Sequence, residues 1–208
     1  CNTLRRIDLG ANVKEIGESA FRACPQLGRN RINLGTKLEK IDNYAFGDCT
    51  DFGNPTYAKL YYDNFTLPST VKSIGTYAFL NSGFWKKSTT PEIYVGKWLV
   101  GYKVAADDNE QRPVYVKEGT VGISNYAFYK KNLITTVTIP ESVKYIGMAA
   151  FAQCENLQIV NISLFCELEE IPDYAFYKCT ALYEVSVPLT IKRIGRSAFY
   201  KSGLMVAN

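Results

Sequence analysis

An Ala-Phe pair recurs seven times along the 208 residues of the chain, and this repeat limits what the chain can fold into. The phenylalanines are, in order, Phe21, Phe46, Phe79, Phe128, Phe151, Phe176 and Phe199. Four of the six intervals are 23 to 25 residues, and the longer intervals 46–79 and 79–128 contain insertions. A period of this length is typical of a solenoid, whose repeats are too small to bury a core alone and share one by stacking. We therefore expect one array over residues 1–208, with an irregular insertion at about 84–113.

Two short apolar segments precede the Ala-Phe pair in each copy. The first alternates apolar and polar residues, as in Val137-Thr138-Ile139, and the second places two apolar residues three positions apart, as in Val143 and Ile146. Such alternation predicts strands with one buried face. Because the copies stack, equivalent strands should pair in parallel, about 4.8 Å apart.

The charged residues inside the second segment change sign from copy to copy. Lys14-Glu15 would lie against Glu39-Lys40, and Glu169-Glu170 against Lys192-Arg193. Opposite charges across neighbouring strands stabilise their pairing by a few tenths of a kcal/mol. The pattern therefore predicts ion pairs that hold the copies in register.

A residue typical of helix starts follows the second segment. It is Gly17, Asp42, Gly75, Ser124, Gly147, Pro172 or Gly195 in the successive copies. Pro172 fixes φ at about −65° and so excludes left-handed backbone. Gly, Asp and Ser are N-caps, and Pro suits a first helical turn. We therefore expect a short helix or 3₁₀ turn that runs through the Ala-Phe pair, in an α/β fold.

The cysteines follow the repeat. Cys24, Cys49, Cys154 and Cys179 each lie three residues after an anchor phenylalanine, where the other copies have Ser82, Lys131 and Ser202. A required disulfide could not tolerate these replacements, so we expect buried free thiols. Cys1 matches the same position of an earlier copy, which predicts a fragment of a longer array; a lipid-modified Cys1 is the alternative.

Composition excludes several functions. The chain has no histidine, which removes Ser-His-Asp and Cys-His catalytic units and the commonest transition-metal ligand. Its net charge of +4 is spread over both signs and does not suggest nucleic-acid binding. We expect no membrane span and no signal peptide. The acidic run 107–110 lacks EF-hand spacing, which favours a solvated loop over a calcium site. No catalytic residue, metal or cofactor is predicted.

The combined pattern Val-Lys-x-Ile-Gly-x-x-Ala-Phe-x-x-Cys-x-x-Leu resembles the BspA-type leucine-rich repeats. These are known mainly from surface proteins of oral and gut bacteria and from some parasitic protists. The resemblance covers nearly the whole chain outside 84–113 and implies a leucine-rich-repeat solenoid of about seven repeats. It also implies an extracellular or cell-surface location and an adhesion role toward host matrix proteins, host cells or other bacterial surface proteins. A spacer array without a ligand and a carboxylate-based glycosidase remain as alternatives.

The insertion predicts a β-hairpin, with strands 93–95 and 98–102 about a Gly96-Lys97 turn. Two interpretations remain open. The segment is either a degenerate repeat that buries its aromatic residues, or a hairpin that presents Tyr94, Trp98 or Tyr102 to a partner, since interfaces favour aromatic residues.

The outward face of the first strand ladder is the predicted protein-binding surface. Its central positions are Asp8, Asn33, Thr66, Tyr115, Thr138, Asn161 and Ser186, flanked by Arg6, Arg31, Asn64, Thr136 and Glu184. A ladder sets these side chains on a rigid grid, which lowers the ordering cost of binding. Tyr115 is expected to be the hot spot, with Tyr94 and Trp98 as neighbours. The alternative is a merely solvated sheet face.

Overall fold

The computed structural model of the chain describes residues 1–61 and 65–204, and it divides into two compact units, Cys1–Lys103 and Val104–Asn208. Both units are stacks of short parallel strands, so the predicted leucine-rich-repeat solenoid is confirmed as the fold. That the two units form one uninterrupted array stays a prediction.

The first unit contains two ladders and a hairpin. Strand β1 (Ile7–Asp8) pairs in parallel with β3 (Ile32–Asn33), and β2 (Glu15–Ile16), β4 (Lys40–Ile41) and β5 (Ser73–Ile74) form the second ladder. Two short helices, α1 (Pro55–Tyr61) and α2 (Gly83–Lys87), lie in the inserted segments. Strands β6 (Glu92–Val95) and β7 (Trp98–Tyr102) pair antiparallel, which confirms the predicted hairpin.

The second unit also contains a first and a second ladder, built from four copies of the repeat. Its first ladder consists of β8 (Arg112–Tyr115), β10 (Ile134–Ile139), β12 (Ile159–Ile162) and β14 (Glu184–Ser186), all parallel. In its second ladder β9 (Gly122–Ile123) pairs with β11 (Tyr145–Ile146), and β13 (Glu170–Ile171) pairs with β15 (Arg193–Ile194).

The anchor phenylalanines form the centre of the core. Within the first unit Phe46 stacks on Phe21 and Phe79 with ring centroids 5.4 and 5.3 Å apart. Within the second unit Phe128, Phe151, Phe176 and Phe199 form a continuous stack at 4.9 to 5.4 Å. The five inner rings are at most 1% exposed, so the predicted apolar core along the repeat is confirmed.

The Ala-Phe segment is a turn, and the predicted helix or 3₁₀ turn is wrong. The residues two before and two after each phenylalanine have φ between 53° and 63°. In the fourth copy the N–H groups of Tyr126, Phe128 and Lys130 donate to carbonyl oxygens of the fifth copy at 2.7 to 3.1 Å. The N–H groups between them donate to the carbonyl oxygen three residues earlier in the same copy. Bonds between copies therefore alternate with bonds that close tight turns, and no continuous helix forms. Gly, Asp, Ser and Pro favour turns as well as helix starts, which is why the sequence was ambiguous.

The charge pattern of the second segment forms the predicted ion pairs. Lys40 Nζ lies 2.9 Å from Glu15 Oε1, Lys72 Nζ lies 3.2 Å from Glu39 Oε2, and Arg193 pairs with Glu170. Hydrogen bonds to Asp42 and Glu15 raise the pKa of Lys40 to about 12. These pairs are exposed, so each stabilises the fold by at most about 1 kcal/mol.

Candidate functional site

The first ladder of the second unit presents a two-row grid of outward side chains. In β10 the side chains of Val137 and Ile139 are buried, so the alternation of a strand points Thr136 and Thr138 outward. The central row is set by the pairing of the strands and consists of Tyr115, Thr138, Asn161 and Ser186. The second row consists of Pro113, Thr136, Ile159 and Glu184. Six of the predicted site residues therefore lie side by side on one sheet.

Tyr115 is the large exposed side chain of this grid. It is 70% exposed at the end of β8, whereas Thr138, Asn161 and Ser186 are half-buried. Arg112, the first residue of the strand, pairs with Asp108 of the preceding loop, and this ion pair ties the acidic run 107–110 to the ladder. The ring thus projects from an edge strand that pairs with β10 on one side and is tied by an ion pair at its start.

The predicted site residues of the first unit are more scattered. Asn33 Nδ2 of β3 donates a hydrogen bond to Asp8 Oδ1 of β1 at 2.6 Å, so these two side chains are bonded to each other. Arg6 and Arg31 are exposed beside them, and Thr66 is exposed but lies outside any strand. Asn64 lies outside the described residues. In the first unit, therefore, Asp8 and Asn33 are the predicted central residues that lie side by side on paired strands.

The hairpin buries most of its aromatic side chains. Trp98 and Tyr102 are 3% and 2% exposed, as the degenerate-repeat interpretation predicts. A Cβ on Gly101 would lie 2.3 Å from the Trp85 ring, so that glycine makes room for a further aromatic side chain. Trp98 cannot contact a partner and does not belong to a binding surface. Tyr94 is half-buried and remains accessible.

An apolar corner, not predicted from the sequence, lies at the end of the first ladder. Leu164 and Phe165, in the loop that follows β12, are 62% and 84% exposed, and Leu189 of the next copy is fully exposed. Thr190 Oγ1 donates to the carbonyl oxygen of Cys166 and so joins the two loops. Leu164 and Phe165 belong to an insertion, so the repeat assigns them no position that faces the core. Two large apolar residues in such an insertion were the sequence signal for the corner.

Two shallow depressions lie in the first unit. One, of about 300 Å³, is lined by Lys14, Lys37, Glu39, Thr70 and Lys72. The other, of about 280 Å³, is lined by residues that include Phe84, Glu92 and Tyr94. Among the residues that the structure describes, each depression is lined by one carboxylate, Glu39 or Glu92, whereas a glycosidase needs a pair. Within residues 1–61 and 65–204 there is no acidic, cysteine or histidine cluster that could hold a metal ion, and no helix long and apolar enough to cross a bilayer.

Solved structures of leucine-rich-repeat proteins resemble the chain. A leucine rich cell surface protein of Faecalibacterium prausnitzii A2-165 is 23% identical with a TM-score of 0.51, over 96% of this chain and 52% of that one. The pneumococcal vaccine antigen PcpA is 24% identical with a TM-score of 0.48, over 92% of this chain and 47% of that one. At such identities the first likeness shows the fold alone, and the chain spans about half the length of that protein.

A sequence family also matches most of the chain. No curated protein matches the sequence. The sequence model of the BspA type leucine rich repeat region finds six copies in it, over residues 1–91 and 110–207. Only the hairpin and the loop after it are left unmatched among the first 207 residues. With nearly its whole length matched, the chain belongs to the BspA-type leucine-rich repeat family.

Proposed function

We propose that the chain is a non-enzymatic protein-binding module of a cell-surface protein. Its binding surface is the outward side of the first ladder in the second unit, here called the first-ladder surface: Tyr115, Thr136, Thr138, Asn161, Glu184 and Ser186, with the corner residues Leu164 and Phe165. The exposure of Tyr115 on this ordered grid is the observation that carries the proposal. The family and the cell-surface description of the F. prausnitzii protein support the location.

The chemistry of the surface suits a protein partner. Tyrosine offers a large contact area at a small cost in conformational entropy, and aromatic residues are enriched among interface hot spots. The short side chains of Thr138, Asn161 and Ser186 beside it leave room for a partner to reach the ring and offer hydrogen-bonding groups. Since β10 and β12 are hydrogen-bonded on both sides, the grid is already ordered before binding.

The apolar corner favours binding over a spacer role. A spacer needs only a solvated surface, and large apolar side chains exposed together are uncommon there. Leu164, Phe165 and Leu189 lie at the carboxyl end of the strands that carry Asn161 and Ser186. A polar grid that continues into an apolar corner resembles the mixed composition of protein interfaces. The proposed partner is a host matrix or host-cell protein, or a surface protein of another bacterium.

The test is a binding screen followed by substitution. The chain is screened against immobilised host extracellular-matrix proteins, and Tyr115→Ala, Thr138→Ala and Phe165→Ala are compared with wild type by surface plasmon resonance. We expect Tyr115→Ala to weaken binding about tenfold or more, as truncation of a hot spot does, and Thr138→Ala to weaken it less. The melting temperature should stay nearly unchanged, because both side chains point away from the core.

Lys72→Ala and Lys144→Ala are the matched controls, since both lysines are exposed and each directly precedes a strand of the second ladder. They should bind as wild type does. Full affinity in the Tyr115 and Thr138 variants, with a loss in either lysine variant, would move the site to the second ladder. Failure of wild type to bind any protein of the panel would favour the spacer.

A further inference from the structure

A Tyr-Lys dipeptide follows the anchor phenylalanine in three of the four copies of the second unit. The pairs are Tyr129-Lys130, Tyr177-Lys178 and Tyr200-Lys201, here called the Tyr-Lys row. In each pair the ammonium group lies over the ring of its own tyrosine, 5.3, 5.3 and 5.6 Å from the centroid. A cation held over an aromatic face is stabilised there by the ring. The three ammonium groups therefore occupy the same position relative to the backbone of their copies.

The backbone sets these charges in one line. Lys130 N–H donates to Ala152 of the fifth copy, Gln153 N–H donates to Tyr177 of the sixth, and Lys178 N–H donates to Tyr200 of the seventh. The residues two after the phenylalanine are therefore stacked copy upon copy, about 4.8 Å apart. Lys178 and Lys201 are neighbours in the line, and Lys130 follows after the gap at Gln153.

The row is not neutralised by the protein. The lysines of the second ladder, such as Lys192 and Lys144, pair with glutamates of a neighbouring copy. Among the ion pairs of the described residues none involves Lys130, Lys178 or Lys201. The row therefore keeps its positive charge. Unlike the lysines beside the second ladder, these three lysines do not help to hold neighbouring copies in register.

Neighbouring groups add to the charge. The Arg196 guanidinium lies over the Tyr174 ring, 5.4 Å from its centroid. Asp173, a carboxylate of the sixth copy, already accepts hydrogen bonds from the Arg193 side chain and from the Arg196 backbone N–H, both at 2.8 Å. Arg196 and the three lysines thus place four cations over aromatic rings of the second unit.

We propose that the Tyr-Lys row binds an acidic polysaccharide, a polymer of sugar rings with carboxylate or sulfate groups. A line of fixed cations matches a line of anions. The tyrosine rings suit sugar rings: Tyr200 is exposed, and Tyr129 and Tyr177 are half-buried. The backbone N–H groups of Lys130 and Lys178 already bond to the next copy, so a peptide cannot add there as a strand. This binding goes beyond the protein-binding function proposed above and uses none of its residues.

The test uses the full chain and the triple variant Lys130→Gln, Lys178→Gln, Lys201→Gln. Gln153 occupies the equivalent position with a φ of 59°, so glutamine fits this backbone. The probes are alginate, which carries carboxylates, heparin, which carries sulfates, and neutral dextran. We expect wild type to bind alginate, heparin or both, more weakly at high salt, and the triple variant to bind about tenfold more weakly. The three single variants should each lose about two- to fivefold, and they serve as the test if the triple variant melts early.

The matched control is the triple variant Lys59→Gln, Lys86→Gln, Lys97→Gln, which removes the same charge from exposed positions of the first unit. It should bind as wild type does. Binding of neither acidic polysaccharide, equal binding of dextran, or an equal loss in the control would overturn the proposal. Equally tight binding of poly-L-glutamate would also overturn it in favour of an acidic peptide. Tyr115→Ala should leave polysaccharide binding unchanged, which separates this test from that of the first-ladder surface.

Discussion

The ladder cysteines act both as core side chains and as hydrogen-bond donors. Three of them donate to the carbonyl oxygen of the phenylalanine one copy earlier, at 2.9 to 3.1 Å: Cys49 to Phe21, Cys154 to Phe128, and Cys179 to Phe151. Ser82, at the same position, is fully buried, and its hydroxyl has no partner among the described residues. A buried hydroxyl without a partner costs about 1 to 3 kcal/mol, and a thiol costs less because it is less polar. The position therefore favours cysteine.

This arrangement predicts the reactivity of the thiols. All six cysteines lie in the described residues and are free, as predicted; Cys1 is exposed and the other five are buried. Burial raises the pKa of Cys49 and Cys179 to about 12. At pH 8 we expect a thiol reagent to modify Cys1 at once and the buried thiols only after unfolding, because the thiolate is the reactive form.

Thiol titration of the unreduced protein, with and without urea, measures both phases. The Cys1→Ser variant is the control and should lack the fast phase. A second thiol that reacts in the native protein, or two or more disulfides in the unfolded one, would contradict the prediction.

The turn that follows each second strand alternates between two forms. The third, fifth and seventh copies have glycine there, and the copies before them have Asp42, Ser124 and Pro172. A Cβ on Gly147 would lie 2.3 Å from the Asn125 backbone nitrogen, and the Asn125 side chain accepts the Met148 N–H at 3.0 Å. Because glycine has no side chain, the backbone of the copy before it, at Ser124 and Asn125, can approach this closely.

The alternation predicts unequal effects of glycine substitutions. Gly147→Ala should destabilise the fold by about 1 to 3 kcal/mol, because backbone atoms of the fourth copy would have to move. Gly17→Ala is the matched control: the same position in the first copy has nothing within 4 Å of the added Cβ. Its effect should stay within about 0.5 kcal/mol. Urea unfolding of both variants measures the difference, and equal midpoints would refute the close approach.

Across the molecule, the features that the sequence predicted are those that depend on the repeat itself. The ladders, the stacked phenylalanines, the free thiols and the row of Tyr115, Thr138 and Asn161 follow from period and alternation alone. The anchor turn did not, because the same residue types favour helix starts and turns. The exposure of Phe165 was not predicted, and the sequence left the burial of Trp98 undecided between two interpretations. Both residues belong to insertions, where no repeat fixes which side chain points inward.

The stacked phenylalanines predict how stability varies along the second unit. Phe151 is fully buried and stacks on both Phe128 and Phe176, whereas Phe199 is half-buried and has a ring stacking contact with Phe176 alone among the described anchor phenylalanines. In a repeat array stability is approximately a sum of nearest-neighbour terms, so a central deletion removes two interfaces and a terminal one removes fewer contacts. Phe151→Ala should therefore cost about 3 to 5 kcal/mol, the range for a buried aromatic side chain.

Phe199→Ala is the matched control and should cost about half as much, because its ring keeps part of its surface in water in the native state. Urea unfolding of the full chain, followed by tryptophan fluorescence and circular dichroism, gives the free energy of unfolding for both variants. The order of the two costs is the sharper test, since it does not depend on the absolute value of either. A cost below about 1 kcal/mol for Phe151→Ala, or equal costs for both, would mean that the phenylalanine stack is not what couples the copies, and the inter-copy hydrogen bonds of the anchor turns would then have to supply that coupling.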